Sequence, residues 1–243
     1  MRLAKQFNDA IQRQLNIFAA WMPISNDYIL GDYGIIDDGV FAKLGNISEF
    51  SADFTTGEGR EAKIDYTSEG TRVVNTAAGV EVDVIPEGAI NAKVSYDFEN
   101  EKSLMIKSPS INVKTISNVQ QVAEKLMAHP KWQQRYKVVH QTYFAKDVAI
   151  MSTISAGTKV TFTGDVKALQ QLNIGNVNVG YQSNQKLGLD LQGKEGVIGL
   201  GLFQIKSGLF GLGKQKVEIL ADDATNEPLE IDYLKPEEVE SDL

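Results

Sequence analysis

The chain has 243 residues and no cysteine. Disulfides, thiolate nucleophiles and thiolate-held metals are therefore excluded together, and the absence fits a reducing compartment. Histidine is nearly as scarce, with His129 and His140 alone. A histidine-rich metal centre is excluded, and imidazole acid–base chemistry has two candidates. The first residues, Met-Arg-Leu-Ala-Lys-Gln-Phe-Asn-Asp, alternate charge with apolar side chains and lack the apolar stretch of a signal peptide. No window approaches the ~18 apolar residues of a membrane-spanning helix. A soluble, cytoplasmic protein is expected. The net charge of −8 argues against nucleic acid as a partner.

That charge is unevenly spread. Residues 218–243 carry ten acids against one base, Lys235, a formal −9, whereas residues 1–217 carry 23 bases and 22 acids, a formal +1. The pattern divides the chain into a nearly neutral body, 1–217, and an acidic tail, 218–243, without periodicity of its own and expected to dock loosely.

Apolar periodicity predicts the elements of the body. Leu3, Phe7, Ala10, Ile11, Leu15, Phe18 and Met22 recur at helical spacing over 2–21, with Arg2, Lys5 and Arg13 among them, until Pro23 ends the pattern. Residues 28–54 read as short strands and turns. Val80, Val82 and Val84 alternate with Glu81 and Asp83. Ile90, Ala92, Val94, Tyr96 and Phe98 alternate with polar neighbours, as a strand with one apolar and one wet face requires. Short strands are expected at Ser103–Ile106 and Ser110–Ile116 around Pro109. A second helix is expected over 117–128, with Ser117 and Gln120 as a capping box and His129-Pro130 as its stop. Trp132 and Tyr136 then anchor the exit. Residues 137–150 suit a core strand. Alternation returns at Thr158–Phe162, at Ile174, Val177, Val179 and Tyr181, and at Leu187, Leu189 and Leu191; Gly196–Ile205 and Lys216–Leu220 follow as strands. The fold class is α+β: a large twisted antiparallel sheet with an N-terminal amphipathic helix and one or more further packed helices.

Chemical motifs are weak by comparison. Gly208-Leu-Phe-Gly-Leu-Gly-Lys-Gln215 resembles a phosphate-binding loop, but Gln215 replaces the magnesium-holding hydroxyl and strand, not helix, is expected to follow. Gly196, Gly199 and Gly201 have the wrong spacing for a dinucleotide fingerprint. Asp32, Asp37 and Asp38 do not have EF-hand spacing. His140, in a strand-like run, reads as packed rather than basic. No catalytic residue, cofactor or metal is assigned, and no enzyme is expected. The two alternating regions, about 71–98 and 158–191, have two readings. Each is a half-buried antiparallel ribbon, or each is a ribbon able to cross a bilayer apolar side outward.

The order of these elements resembles the pore-forming domain of gasdermins, including their short bacterial members. It runs from the N-terminal helix through Ile90–Phe98, the helix Ser117–Ala128 with its His-Pro-Lys-Trp exit, Lys137-Val-Val-His-Gln-Thr-Tyr143 and region 158–191 to the closing strand Gly196–Ile205. The resemblance covers most of 1–217 and is one of order, without a shared motif. It implies a latent pore-former that inserts two β-hairpins per subunit as a ring-shaped homo-oligomer, after a protease removes an autoinhibitory C-terminal segment, in bacterial antiviral cell death. By position, Arg2, Lys5, Phe7 and Arg13 are the implied contacts to acidic lipid. Val80, Val82, Val84, Ile90, Val94, Tyr96, Val160, Phe162, Ile174, Val177, Val179, Leu187 and Leu189 are the implied inserting residues, and Asp222 and Asp223 mark the cleavage region. The implied location is cytoplasmic when inactive and the cell membrane afterwards. Two departures stand out: the lipid-modified N-terminal Cys of some bacterial members is missing, and the tail has few apolar anchors, chiefly Leu229, Ile231, Tyr233 and Leu234. The alternative is a soluble scaffold that binds a protein or lipid without insertion.

Overall fold

The computed structural model describes residues 3–37, 39–89, 91–164, 166–170, 175, 179–206 and 230–236. In chain order, α1 (Leu3–Leu15) leads to β1 (Phe18–Ala19), β2 (Asp32–Asp37), β3 (Val40–Asn46), a 3-10 turn at Ile47–Phe50 and β4 (Thr56–Glu58). Then come β5 (Ala62–Thr67), β6 (Thr71–Ala77), β7 (Val80–Val82), β8 (Lys93–Phe98) and β9 (Leu104–Ile116). The helix α2 (Val119–Ala128) precedes β10 (Lys137–Thr153), β11 (Thr158–Gly164) and α3 (Val166–Gln170). Last are β12 (Val179–Ser183), β13 (Leu187–Lys206) and β14 (Glu230–Tyr233). The α+β class stands, with antiparallel pairing throughout the described strands.

The main sheet is built on two long strands. β10 pairs with β13 along one edge, and with β9 and β2 along the other. β5 and β4 continue the sheet beyond β9, and β1 and β14 border β13. A smaller sheet has the order β12-β11-β8-β6-β7.

Length is where the structure departs from sequence expectation. β9 runs as one strand across Pro109; its ladder to β10 pairs Lys107 with Ala149 and next Ser110 with Lys146, so the missing N–H falls in a gap. β13 likewise fuses two expected strands. Gly193, at φ 64°, falls between Gln192 and Lys194, which pair with Ala149 and Val148, so it is the extra residue of a bulge. The first helix stops at Leu15 rather than running to 21, because Phe18 and Ala19 pair with β13 instead. α2 begins later than expected and without the capping box. Asn118 is its N-cap and makes no side-chain cap bond. Its Oδ1 accepts from the Thr55 N–H at 2.8 Å instead, tying the helix start to the strand edge.

Each face of the long strands has its own core. On one face α1 lays Phe7, Ala10 and Ile11 against Ile106, Ile111, Ala145, Ile150 and Ile198. On the other, the small sheet packs Val94, Tyr96, Phe98, Val160 and Phe162 on Met105, Ala149 and Met151. Full burial of each such side chain stabilises by roughly 1.5–3 kcal/mol. A third cluster gathers around α2, and the expected anchors Trp132 and Tyr136 pack with Tyr33 and Phe50 at ring separations of 5.1–5.9 Å.

Candidate functional site

The two alternating regions come together in one place. The small sheet consists of two excursions out of the main sheet: β6 to β8 between β5 and β9, and β11 to β12 between β10 and β13. The parent strands lie in the order β5-β9-β10-β13, and their continuations lie in the order β6-β8-β11-β12. Every strand therefore keeps its neighbours across the bend. The central register also runs on, whereas the outer ones slip by three residues: Thr67 faces Met105 and past the turn Thr71 faces Phe98, and Thr153 faces Leu187 and past the turn Val160 faces Ser183. Leu104 faces Ser152, and past the turns Phe98 faces Thr158. The small sheet is the main sheet folded back on itself.

Four short turns make the bend: residues 68–70, 99–103, 154–157 and 184–186. Left-handed backbone reverses three of them, at Gly70 (φ 74°), Lys102 (φ 60°) and Gly157 (φ 69°). Buried hydroxyls fasten the turns to one another. The Ser103 N–H donates to Thr153 Oγ1 at 2.9 Å, and both the Ser103 and Thr153 hydroxyls donate to the Asn100 carbonyl. Ser68 Oγ accepts from the Leu104 N–H, and Thr158 Oγ1 donates to the Ser155 carbonyl at 2.6 Å. Hydrogen bonds rather than apolar packing hold this bend, so water can replace its partners on opening.

The small sheet has the two-faced character its sequence implied. Its outer face carries Lys93, Asp97, Lys159 and Thr161, with an Asp97–Lys159 ion pair at 3.3 Å and a Ser95–Thr161 hydroxyl bond at 2.9 Å. Val94, Tyr96, Val160, Phe162 and Val179 point inward and are almost wholly buried. Val80 and Val84 on the free edge are 65% and 73% exposed, and Val82 is half-buried. Leu187 and Leu189 belong to β13 on the parent side of the bend, so the second excursion ends at Ser183 rather than 191. Ile90, Ile174 and Val177 lie outside the described residues, as do Arg2, Asp38, Asp222, Asp223, Leu229, the glycine-rich stretch 208–215 and the expected strand 216–220.

The interface between the sheets contains polar groups that sequence reasoning missed. Lys107, on β9, is 4% exposed. Its ammonium pairs with Asp65 and lies 5.3 Å from the centre of the Tyr96 ring. Burial pushes Lys107 down to about 8, and the Asp65 carboxylate beside it favours the charged form. The Tyr96 hydroxyl is buried and has no hydrogen-bond partner among the described residues; burial pushes it up to about 12. At the other end, Tyr181 donates to Asp190 across the two sheets; burial and that carboxylate push Tyr181 up to about 12. Gln192 Nε2 also donates to the Val179 carbonyl at 2.7 Å. A buried lysine inside a run such as Leu-Met-Ile-Lys-Ser-Pro carries no local signal of burial.

On α1, Lys5 and Arg13 are exposed, whereas Phe7 is fully buried against the main sheet and offers no surface to lipid in this state. Asp32 is also committed to the fold. Its buried carboxylate pairs with Lys43 at 3.0 Å and accepts from Asn46 Nδ2 and the Ile29 N–H. No group of three potential metal ligands is gathered among the described residues. His140 is buried at a bulge in β10, and burial pushes its imidazole down to about 4.

Two further features of the surface are relevant. A groove of about 900 Å³ is lined by Tyr28, Ile29, Phe54, Phe144 and Val197, and by Lys114, Lys146, Asp27 and Glu195. The described part of the acidic tail docks more firmly than expected. β14 pairs with Phe203–Lys206, Lys206 and Asp232 form an ion pair at 2.6 Å, and Ile231 and Leu234 reach apolar clusters.

No protein-family model matches the chain, and no curated protein matches it. Among solved structures, a bacterial gasdermin from Bradyrhizobium tropiciagri aligns over 83% of this chain and 87% of its own, at 14% identity and a TM-score of 0.39. At that score the likeness lies in general layout alone, and no residue role passes from one chain to the other.

Proposed function

We propose that the chain is a latent pore-forming protein whose small sheet swings out to extend the main sheet into a bilayer. The observation that carries this reading is the strand order kept across the bend, with the central strands in one continuous register. Straightening the four turns turns β5-β6 with β8-β9, and β10-β11 with β12-β13, into two long hairpins. The strand pairs within each sheet are kept; the hydrogen bonds of the turns, the Tyr181–Asp190 and Gln192–Val179 bonds and the packing between the sheets are given up. The released face is apolar and the other face polar, as a strand lining a membrane pore requires. Each parent-plus-excursion strand exceeds the 9–11 residues needed to cross.

In this reading the acidic tail holds the closed form until a protease cuts in the region of Asp222 and Asp223, an assignment that rests on tail charge and on the docking of β14. Arg2, Lys5 and Arg13 then meet acidic lipid, each contributing about 1 kcal/mol near an anionic surface, and subunits assemble into a homo-oligomer. The inactive protein is cytoplasmic, the active one sits on the cell membrane, and antiviral cell death is the proposed role. The test is dye release. A chain ending near residue 220 is expected to empty phosphatidylglycerol vesicles while the full chain does not, and K5E/R13E is expected to raise the protein concentration needed. Intact vesicles with the shortened chain across several anionic mixtures would overturn the proposal.

The apolar groove beside Tyr28 and Phe144 favours a second reading, a scaffold that binds a protein or lipid without insertion. Stable complexes without leakage, and without rings by electron microscopy, would support it.

A further inference from the structure

The tail strand covers a polar cavity of about 550 Å³ whose floor includes His140, Gln141 and Gly201. Two features of β10 and β13 build it. Val139 pairs with Leu202 and Gln141 with Gly201, which leaves His140 as the unpaired residue of a bulge and turns its ring out of the regular alternation. Gly201 makes room, since a Cβ there would meet His140 Nε2 at 3.2 Å and Gln141 Oε1 at 2.9 Å. The imidazole is 9% exposed and packs edge-on between Phe203, at 6.0 Å, and Tyr233 of β14, at 4.9 Å.

The surroundings are hostile to a cation. Among the described residues, the titratable groups lining the cavity besides His140 are Tyr143 from β10, and Tyr233 and Lys235 from the tail; α1, β9, α2 and β13 contribute apolar, hydroxyl and glycine surface, and Asn16 an amide. Among the described residues no carboxylate lines it. Asp232 neighbours Tyr233 in the chain, but it pairs with Lys206. Aromatic rings attract cations, yet burial dominates, and His140 is neutral in the docked state.

We propose that docking of β14 is acid-labile, with His140 as the sensing group: protonation of its imidazole releases Glu230–Tyr233 from the edge of β13. The proposal concerns docking alone and holds whether or not the chain forms pores. Docking lowers the proton affinity of His140, so the tail is held tightly above the ordinary histidine range and progressively less as pH falls below about 6.5.

Hydrogen exchange of residues 231–234 in the full chain, corrected for intrinsic rates, reads the docked fraction directly. Between pH 7 and pH 5 the protection factor is expected to fall about tenfold or more in the native chain. It is expected to stay flat in H140Q or H140F, whichever retains the native circular dichroism spectrum, and to fall still in D232N. Constant protection of the native tail down to pH 5, or an equal fall in the folded His140 variants, would overturn the proposal.

Discussion

Two covers lie over β9 and β10, one on each face, and they are fastened differently. α1 covers Ile106, Ala145 and Ile150 with an apolar stripe, and two side-chain hydrogen bonds help secure it: Asn8 Oδ1 accepts from the Ala19 N–H, and Gln6 Nε2 donates to the Lys102 carbonyl. The small sheet covers Met105, Ala149 and Met151 with side chains just as apolar, but it encloses a lysine and a hydroxyl that has no hydrogen-bond partner among the described residues, and four bent strands join it to its parent. The difference teaches which cover is built to move. A helix that lifts exposes apolar surface and gains nothing. A small sheet that lifts rehydrates Lys107 and Tyr96, which offsets part of the apolar loss, and it keeps the strand pairs within each sheet.

The comparison is open to direct tests. Phe162→Ala removes the ring that packs edge-on against Tyr96 at 5.8 Å. It is expected to cost about 3–5 kcal/mol and to raise hydrogen exchange in β8 and β11 before α1 is affected. Lys107→Met removes a buried charge, while Asp65, at the surface, remains solvated. Replacement of buried ion pairs by apolar groups gains up to about 1–4 kcal/mol; a higher melting temperature and slower exchange in the small sheet are expected, and a lower one would mean that the pair holds the sheets together. The same lysine sets a pH dependence. Its folded value of about 8 lies below the 10.5 of the unfolded chain, so the unfolded chain holds more protons between the two. Stability is thus expected to rise from about pH 8 to about pH 10.5, and to be lost as pH falls back through that range to 8, with the slope absent in Lys107→Met. Tyr181→Phe, which cuts the bond to Asp190, is expected to cost about 1 kcal/mol and to loosen β12 alone, read as exchange of its amides.

The acidic tail shows how composition can mislead. A stretch with ten acids reads as solvated, yet Ile231 and Leu234 reach apolar clusters and Tyr233 packs on His140, enough to lay a strand on β13, with Lys206 meeting one of the acids. The anchors were legible individually; their partner was not, because the edge of β13 is assembled from a distant part of the chain.

Local pattern alone determined the positions of α1 and α2, the exit anchored by Trp132 and Tyr136, the core strand at 137–150 and the two alternating ribbons. These depend on periods of 3.6 and 2 that neighbouring residues set. It also misjudged where those elements end, since the pairing of Phe18 with Leu200 and the run of β9 through Pro109 answer to partners far along the chain. The fold-back of the small sheet, the pairing of β8 with β11, the burial of Lys107 and the bulge at His140 were decided only by tertiary structure. Each brings together residues tens of positions apart, and no local period records which distant strand will supply the other half of a contact.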